Sequence, residues 1–363
     1  MNNYSDTDWD ALFENLIDDI EEQKCVLLIG PEIIRIHNFS LQQYIHGQVR
    51  KSHADQIAYY YERDGFFMFK DPLAKEDVQR AVRRNLKSMQ LGTQIDESIY
   101  LKIAAIPFHL VLSVNPDNLL SDVAFKYGIR HRFAFFHHRG DGVQEVEAPT
   151  RAQPLYFNLC GSKLQDDSLI LDYDDVYRML QTTFGAPGLP ERLRRTLLHA
   201  KTFLFLGFQF DKWHSQLLLR FLSGEKAIKK FALKTPPNDQ ETHSFLIHQF
   251  QLEFIENDSQ FFEALYQRCE KAGLLRPLKA PQLPEQQQVI RHVQNGETEL
   301  ALDVLQQALA SNAEAAQQAV HLSGRFQHLE QQQNKGIVDF RDYTIEFNKI
   351  IDALLELNKQ LAA

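Results

Sequence analysis

The segment CVLLIG, residues 25–30, decides the fold of the chain. Five apolar residues in a row end at Gly30, and Pro31 follows directly. A short apolar run without alternating polar residues is typical of a strand in a parallel sheet, because helices cover both faces of such a sheet. The segment therefore predicts a buried strand of an α/β domain.

Other apolar runs repeat this pattern, and segments with helical spacing separate most of them. Further strands are predicted near residues 109–114, 131–138, 143–148, 154–159, 202–206 and 229–234, and a helix near 253–270. The strands near 131–138 and 143–148 flank a turn-like segment, 139–142. The alternation predicts an α/β fold with a largely parallel, Rossmann-like sheet and helices on both faces.

The composition changes near residue 276. A linker with three prolines, 276–284, separates a predicted α/β domain, 1–275, from a Gln-, Ala- and Leu-rich segment, 285–363. Apolar spacing in this segment predicts three helices, the last capped by Asp339 after a break at Gly336. We expect a small all-α domain, either a binding module or a structural cap on the first domain.

Bulk properties exclude several classes of protein. The net charge is −9, so nucleic acid is not an expected partner. The three cysteines, Cys25, Cys160 and Cys269, are far apart, which argues against a disulfide framework and a four-cysteine zinc site. No apolar run approaches ~18 residues, and the acidic N-terminal segment lacks the features of a signal peptide. We expect a cytoplasmic protein without a membrane span or a bound metal.

Small and polar residues follow the predicted strands at their carboxyl ends, where parallel sheets bind ligands. Four such groups stand out. They are Gly30, Pro31 and Glu32; Asn115, Pro116 and Asp117; Cys160, Gly161 and Ser162; and Gly207, Phe208 and Gln209.

Together, these groups resemble the ligand-binding motifs of the sirtuin-like fold. The resemblance implies NAD or an ADP-ribose-like ligand. The loop Gly30–Glu32 would hold the diphosphate, Asn115 and Asp117 the nicotinamide ribose, and Gly207–Gln209 the adenosine half. The segment Cys160–Ser162 stands where the family has a His-Gly pair that supplies the catalytic base, so Cys160 is the position of the missing histidine.

The chain departs from the family pattern at two places. A thiol is a poor general base when it is buried, so Cys160 is a core residue, a modified base or nucleophile, or a redox switch. In the first loop, Pro31 has no N–H to donate and Glu32 adds a negative charge. Two roles stay open for Glu32, a ribose ligand or a cap of the following segment, and two for Asp117, a ribose ligand or a helix cap.

Residues 322–330, 334–337 and 343–357 resemble an effector-associated domain. The resemblance implies an adaptor in a prokaryotic conflict system that binds a protein partner and forms homo-oligomers through helical contacts.

Three functional hypotheses follow. The leading one is an effector or scaffold of a prokaryotic antiphage or stress defence system, a pseudoenzyme with a degenerate NAD-type cleft that assembles through its helical domain. The alternative is an active NAD-cleaving effector that uses Asn115 and Asp117. A third hypothesis is an interaction protein that binds no nucleotide. For His214, on a predicted helix, two positions are open, the mouth of the cleft and an exposed helix position, and we expect the exposed one.

Overall fold

The computed structural model describes most of the chain, which forms two compact units, Met1–Lys279 and Ala280–Ala363. The described residues are 6–89, 95–139, 145–185, 188–223, 228–234, 236–256, 258–279, 285–294, 298–310, 312–335, 337–338 and 340–362.

The strands of the first unit are β1 Cys25–Ile29, β2 Arg35–Ile36, β3 Phe39–Ser40, β4 Ile57–Tyr61, β5 Phe66–Phe69, β6 Leu110–Ser113, β7 Arg132–Phe135, β8 Leu155–Asn158, β9 Thr202–Leu206, β10 Lys229–Leu233 and β11 Leu252–Ile255. Seven of them form a parallel sheet with strand order β11-β10-β9-β1-β6-β8-β7. Two short antiparallel pairs, β2–β3 and β4–β5, lie outside it.

Helices connect the strands, and several begin at polar caps that the sequence supplies. Ser40 and Gln43 form a reciprocal capping box at α2, and Asp71 and Asp172 accept backbone N–H groups at α3 and α6. The helices of this unit are α1 Asp6–Glu21, α2 Leu41–Ser52, α3 Pro72–Ser88, α4 Ser98–Ala105, α5 Leu119–Lys126, α6 Tyr173–Phe184, α7 Glu191–His199, α8 Trp213–Ser223, α9 Gln240–Phe250 and α10 Asp258–Lys271.

The second unit is helical and has its own apolar core. Ala301, Leu305, Ala319, Ile350 and Leu354 are fully buried in this core. Its helices are α11 Glu285–Gln294, α12 Thr298–Ala308, α13 Ala313–Asn334 and α14 Phe340–Asn358.

The central strand β1 explains why the sheet needs helices on both faces. Val26 and Leu28 belong to one apolar core and Leu27 and Ile29 to another, and none of the four is more than 2% exposed. Since successive side chains of a strand point to opposite faces, each core lies on one face of the sheet. The predicted α/β fold with a parallel sheet and a helical C-terminal part is confirmed.

The structure differs from the sequence-based expectations at the sheet edges. Strand β7 pairs with β8 in parallel rather than forming a hairpin with a strand at 143–148. Residues 145–148 form no strand, and residues 140–144 lie outside the described part. Strand β11 occupies the start of the segment that was expected to be helical from residue 253.

The second unit also differs from the expectation of three helices, because α11 precedes them. Gly336 and Asp339, the predicted break and cap, lie outside the described residues, as do linker residues 280–284.

Arg276 ties the end of the first unit to the turn that leads into β6. Its guanidinium donates to the carbonyl oxygens of Ala104, Ile106 and Phe108, each at 2.7 Å, and its Nε donates to the carbonyl of Arg151 at 3.0 Å. Since buried carbonyls need hydrogen-bond partners, Arg276 belongs to the folded unit. The division into domains 1–275 and 285–363 stays a prediction.

We predict that Arg276→Ala lowers the free energy of unfolding of the first unit by about 3 kcal/mol, because carbonyls in this part-buried region lose a charged donor. Chemical denaturation of the full chain measures the effect. Arg195→Ala is the control, since that side chain is 69% exposed in its pair with Glu191; we expect a change within about 0.5 kcal/mol. Equal effects of the two substitutions would show that the hydrogen bonds of Arg276 do not stabilise the first unit.

Candidate functional site

A cleft lies where the carboxyl ends of four strands meet. Pro31 after β1, Asn115 after β6, Cys160 after β8 and Gln209 after β9 all line it. Strand β1 has β6 on one side and β9 on the other, so the chain crosses from one half of the sheet to the other here. Parallel sheets bind ligands at such a switch point.

The remaining cleft wall is mostly apolar and comes largely from helices α2, α3, α6 and α8. The free volume of the cleft, counted as space for the centres of water molecules, is about 100 Å³. Among the described residues that line it, none is lysine or arginine. The apolar wall residues are Leu41, Ile45, Phe66, Val82, Leu86, Val114, Leu169, Ile170, Leu171, Val176, Met179 and Leu218.

Asn115 joins the ends of two strands. Its side chain is buried, and Nδ2 donates to the carbonyl oxygen of Gly30 at 3.2 Å. Its backbone N–H donates to Oγ of Ser113 at 3.0 Å, which fixes the turn after β6. Part of the amide's hydrogen-bonding capacity is therefore used to hold the first loop in place.

Asp117 both caps a helix and lines the cleft. Its Oδ1 accepts the N–H of Leu119, the first residue of α5, at 3.0 Å. Its Oδ2 is buried and has no hydrogen-bond partner among the described residues. Burial raises the pKa of the Asp117 carboxyl to about 6. Asp117 thus binds the first N–H of α5 and also lines the cleft, so the role of a helix cap does not exclude that of a ribose ligand.

Cys160 lies in the cleft wall with Asn115 and Asp117. It is partly exposed by surface area and packs against the apolar core on its side of the sheet. Burial raises the pKa of its thiol to about 12. A thiol with this pKa is protonated at neutral pH and neither abstracts a proton nor attacks as a thiolate.

The first loop packs directly on the loop after β9. The N–H groups of Gly30 and Glu32 donate to the carbonyls of Leu206 and Gly207 at 2.8 and 2.9 Å. The N–H of Ile33 donates to the carbonyl of Gly30, and Pro31 has none. The N–H groups that could bind a phosphate between residues 30 and 33 are therefore already used within the protein.

Both glycines are required at this contact. A Cβ on Gly30 would lie 2.3 Å from the carbonyl oxygen of Gly207, and a Cβ on Gly207 would lie 2.4 Å from the backbone nitrogen of Ile33. Gly207 also has a φ of +67°, which other residues adopt with strain. These two predicted ligand residues thus bring two loops together.

Glu32 pairs with a cation from the next strand end. Its Oε2 accepts from Nζ of Lys234, after β10, at 2.6 Å, and its Oε1 accepts from Nε2 of Gln209 at 3.3 Å. Glu32 is not among the residues that line the cleft and instead lines a separate surface groove. Its side chain therefore joins the loops after β1, β9 and β10.

Three other predicted ligand residues do not line the cleft. Ser162 is fully buried, and its hydroxyl donates to Oδ1 of Asn118 at 3.1 Å. Gly161 has a φ of +81°, and a Cβ there would lie 2.0 Å from the carbonyl oxygen of Ser168. Phe208 is buried against neighbouring aromatic rings. All three serve the packing of the loops.

Two histidines lie in the cleft wall, and the sequence pointed to only one of them. His214 was expected at an exposed helix position, but it is partly buried and lines the cleft, and its Nδ1 has no partner among the described residues. His46, on α2, lies 3.3 Å from the hydroxyl of Tyr60 through Nδ1. Burial lowers the pKa of each imidazole to about 4, so both are neutral at pH 7. An apolar pattern on helices α2 and α8 was the only signal that could have placed them.

A buried ion network lies behind the wall formed by α6. The carboxylate of Asp175 is fully buried and pairs with Lys75 at 2.8 Å, with Arg139 and with His138 at 3.4 Å. Lys75 also pairs with Asp172 at 2.5 Å, which joins α3 to α6.

The described residues contain no group of three His, Cys, Asp or Glu side chains placed to hold a metal ion. No helix in the described part of the chain is both long enough and apolar enough to cross a membrane.

The comparisons with known proteins agree with this architecture. Residues 109–255 match the family model of the SIR2-like domain, and residues 284–362 match that of effector-associated domain 11. The chain thus combines a SIR2-like α/β domain with a helical effector-associated domain. No curated protein matches the chain. The two domains together indicate an effector of a defence system, with a protein-interaction role for the second.

We predict that Asp117→Asn stabilises the protein at pH 7.5 but not at pH 4. Burial raises the pKa of Asp117 from 3.8 to about 6. Between pH 3.8 and pH 6, the folded state therefore holds a proton that the unfolded state has already lost. The ionised carboxylate therefore lowers the free energy of unfolding above pH 6. The difference between variant and native protein should grow by at most about 3 kcal/mol from pH 4 to pH 7.5.

Chemical denaturation at both pH values measures this difference. The matched control is Asp174→Asn, at an exposed position of α6. We expect a nearly constant effect of that substitution, because an exposed carboxyl contributes little to stability. If Asp117→Asn also changes the free energy of unfolding by the same amount at both pH values, the carboxyl of Asp117 does not have a pKa raised by burial.

Proposed function

We propose that the protein is a cytoplasmic effector or scaffold of a prokaryotic defence system whose SIR2-like cleft has lost sirtuin-type catalysis. The observation that carries the proposal is the position of Cys160, whose thiol pKa is raised by burial to about 12, in the wall that also contains Asn115 and Asp117. Cleavage of the bond between nicotinamide and ribose needs a group that takes up a proton, and a thiol of this kind does not do so at pH 7. The protein would then act through assembly.

The cleft also binds diphosphate poorly in this proposal. The N–H groups of the first loop are engaged with Leu206, Gly207 and Gly30. Asp117 adds a negative charge to the cleft at neutral pH, and the described wall has no lysine or arginine to offset it. Phosphate binding normally uses free N–H groups or cations, so NAD and ADP-ribose should bind weakly or not at all.

A second candidate is an active NAD-cleaving effector, and one observation favours it. His214 and His46 bring neutral imidazoles to the same cleft as Asn115 and Asp117. An imidazole with a pKa near 4 is a weak base, however, because proton transfer is most efficient when the pKa lies near the working pH. Turnover by this route would be slow.

Assembly is assigned to the helical unit, which exposes apolar side chains on several helices. Leu300 on α12, Val320 on α13 and Ile345 on α14 are 49%, 58% and 46% exposed, respectively. Exposed apolar side chains of an adaptor domain favour contacts with partner helices. We propose that copies of this domain, or a similar domain of a partner protein, cover them.

We predict that the full chain releases nicotinamide from NAD no faster than its Asn115→Ala variant. Loss of general-base help alone costs about 10²–10⁴-fold in rate. The assay measures nicotinamide by chromatography, with the protein alone and with candidate partner proteins. Cys160→Ala should also leave the rate unchanged.

The same assay tests the second candidate. A release rate that falls strongly in both Asn115→Ala and His214→Ala would reject the proposal and establish the NAD-cleaving effector. Ligand binding is measured in parallel by thermal unfolding, since a ligand at 100 times its Kd adds about 2.7 kcal/mol. A shift of that size with NAD at millimolar concentration would contradict the loss of the diphosphate site.

We predict that Val320→Glu lowers the molar mass of the full chain measured by light scattering at a fixed concentration. A charge at an apolar contact is costly to bury, so the assembled form loses stability. Leu198→Glu is the matched control, because Leu198 is 52% exposed on α7 of the first unit. Equal masses for the three full-length proteins, together with the same number of subunits for a chain that ends at Lys279, would exclude assembly through the helical domain.

A further inference from the structure

Helix α3 forms part of the wall of a narrow cleft. Val82 and Leu86 of this helix line the cleft together with residues 169–171, which precede α6. The free volume of the cleft is about 100 Å³, whereas sites for small organic molecules usually measure about 300–1,000 Å³. A molecule of that size therefore enters only if part of the wall moves.

Ion pairs fix α3 at two points to the segment that leads into α6. Nζ of Lys75 lies 2.5 Å from a carboxylate oxygen of Asp172 and 2.8 Å from one of Asp175. About two turns further along α3, Arg83 pairs with Asp166 at 2.5 Å. The side chains of this second pair are 32% and 27% exposed, so water competes for its charges.

The first point of attachment is built so that Lys75 can leave without an unpaired carboxylate. Asp175 also pairs with Arg139 and accepts the N–H of Leu171 at 3.1 Å. Oδ1 of Asp172 accepts the N–H of Asp175 at 2.9 Å. Breaking a buried ion pair is costly mainly when a charge stays behind without a partner, so release of Lys75 costs less than it would in an isolated pair.

The strand before α3 is held by contacts that do not involve these ion pairs. The N–H of Phe67 in β5 donates to the carbonyl of Leu171 at 2.8 Å. The hydroxyl of Tyr173 donates to the carboxylate of Asp64, in the turn before β5, at 2.6 Å. Strand β5 therefore keeps its own attachment when the ion pairs of α3 break.

We propose that α3 is a gate to the cleft, which the ion pairs of Lys75 and Arg83 hold closed. Release of these cations lets α3 move away from the segment before α6, and Val82 and Leu86 move with it because they belong to the same helix. The cleft then widens, and water reaches Cys160. The gate concerns access to the cleft and is the same whether or not the cleft binds a nucleotide.

Alkylation of the full chain with iodoacetamide, followed by peptide mass spectrometry, tests the gate. Asp172→Asn removes a charge that pairs with Lys75 but keeps the cap of α6, because asparagine caps helices as well as aspartate does. Cys160 should react about tenfold faster in this variant, the factor expected when one charge-assisted hydrogen bond is lost. Cys25 and Cys269 are buried and do not line the cleft, so they should react as slowly as in the native protein.

A second variant and a matched control make the test specific. Arg83→Gln breaks the other pair and should also accelerate the alkylation of Cys160, and it serves alone if Asp172→Asn does not fold. The control is Asp239→Asn, which exchanges the aspartate that caps α9, where its side chain accepts the N–H of Thr242 at 2.8 Å. No described residue of α9 lines the cleft, so Cys160 should react at the native rate in the control.

Native rates of Cys160 alkylation in both Asp172→Asn and Arg83→Gln would overturn the proposal. So would an equal acceleration of all three cysteines, because it would show that the variants unfold the first unit rather than open the cleft. The measurement uses neither NAD nor a partner protein, so its outcome is separate from that of the proposed function.

Discussion

The close approach of Gly30 and Gly207 determines the shape of the cleft. It brings the ends of β1 and β9 into backbone contact, where an added Cβ at either position would lie within 2.4 Å of a backbone atom. The Glu32–Lys234 pair extends this contact to β10, and Asn115 extends it to β6. The backbone N–H groups that stabilise these loops are therefore not free to bind an anion.

Burial governs the acid–base character of the cleft. It raises the pKa of Cys160 and Asp117 and lowers the pKa of His46 and His214. Every one of these shifts favours the neutral form, as expected where few charges compensate for lost hydration. Among these four groups, Asp117 has the pKa that lies nearest to neutral pH.

The interior of the sheet could be predicted from the sequence because β1 and β9 are apolar on both faces. The edges could not, since β7 has half-buried residues and β11 runs on towards a helix with similar apolar spacing. Asn115, Asp117 and Cys160 were predicted as cleft residues because they follow interior strands. The orientation of Glu32 depends on Lys234, 202 residues later, and no local pattern contains that information.

The same limit explains the other differences at the site. Phe208 follows a strand end like the true lining residue Gln209, but alternate side chains of an extended segment point in opposite directions. His214 lies on a helix whose buried face only becomes clear once the cleft is formed.

The burial of the thiols has a consequence for chemical reactivity. Cys25 and Cys269 have no exposed surface, and the pKa of Cys160 is about 12. Since the thiolate reacts with electrophiles and peroxides, these cysteines should be almost inert towards alkylating agents and oxidants while the fold is intact. Rapid alkylation would therefore report unfolding of the first unit.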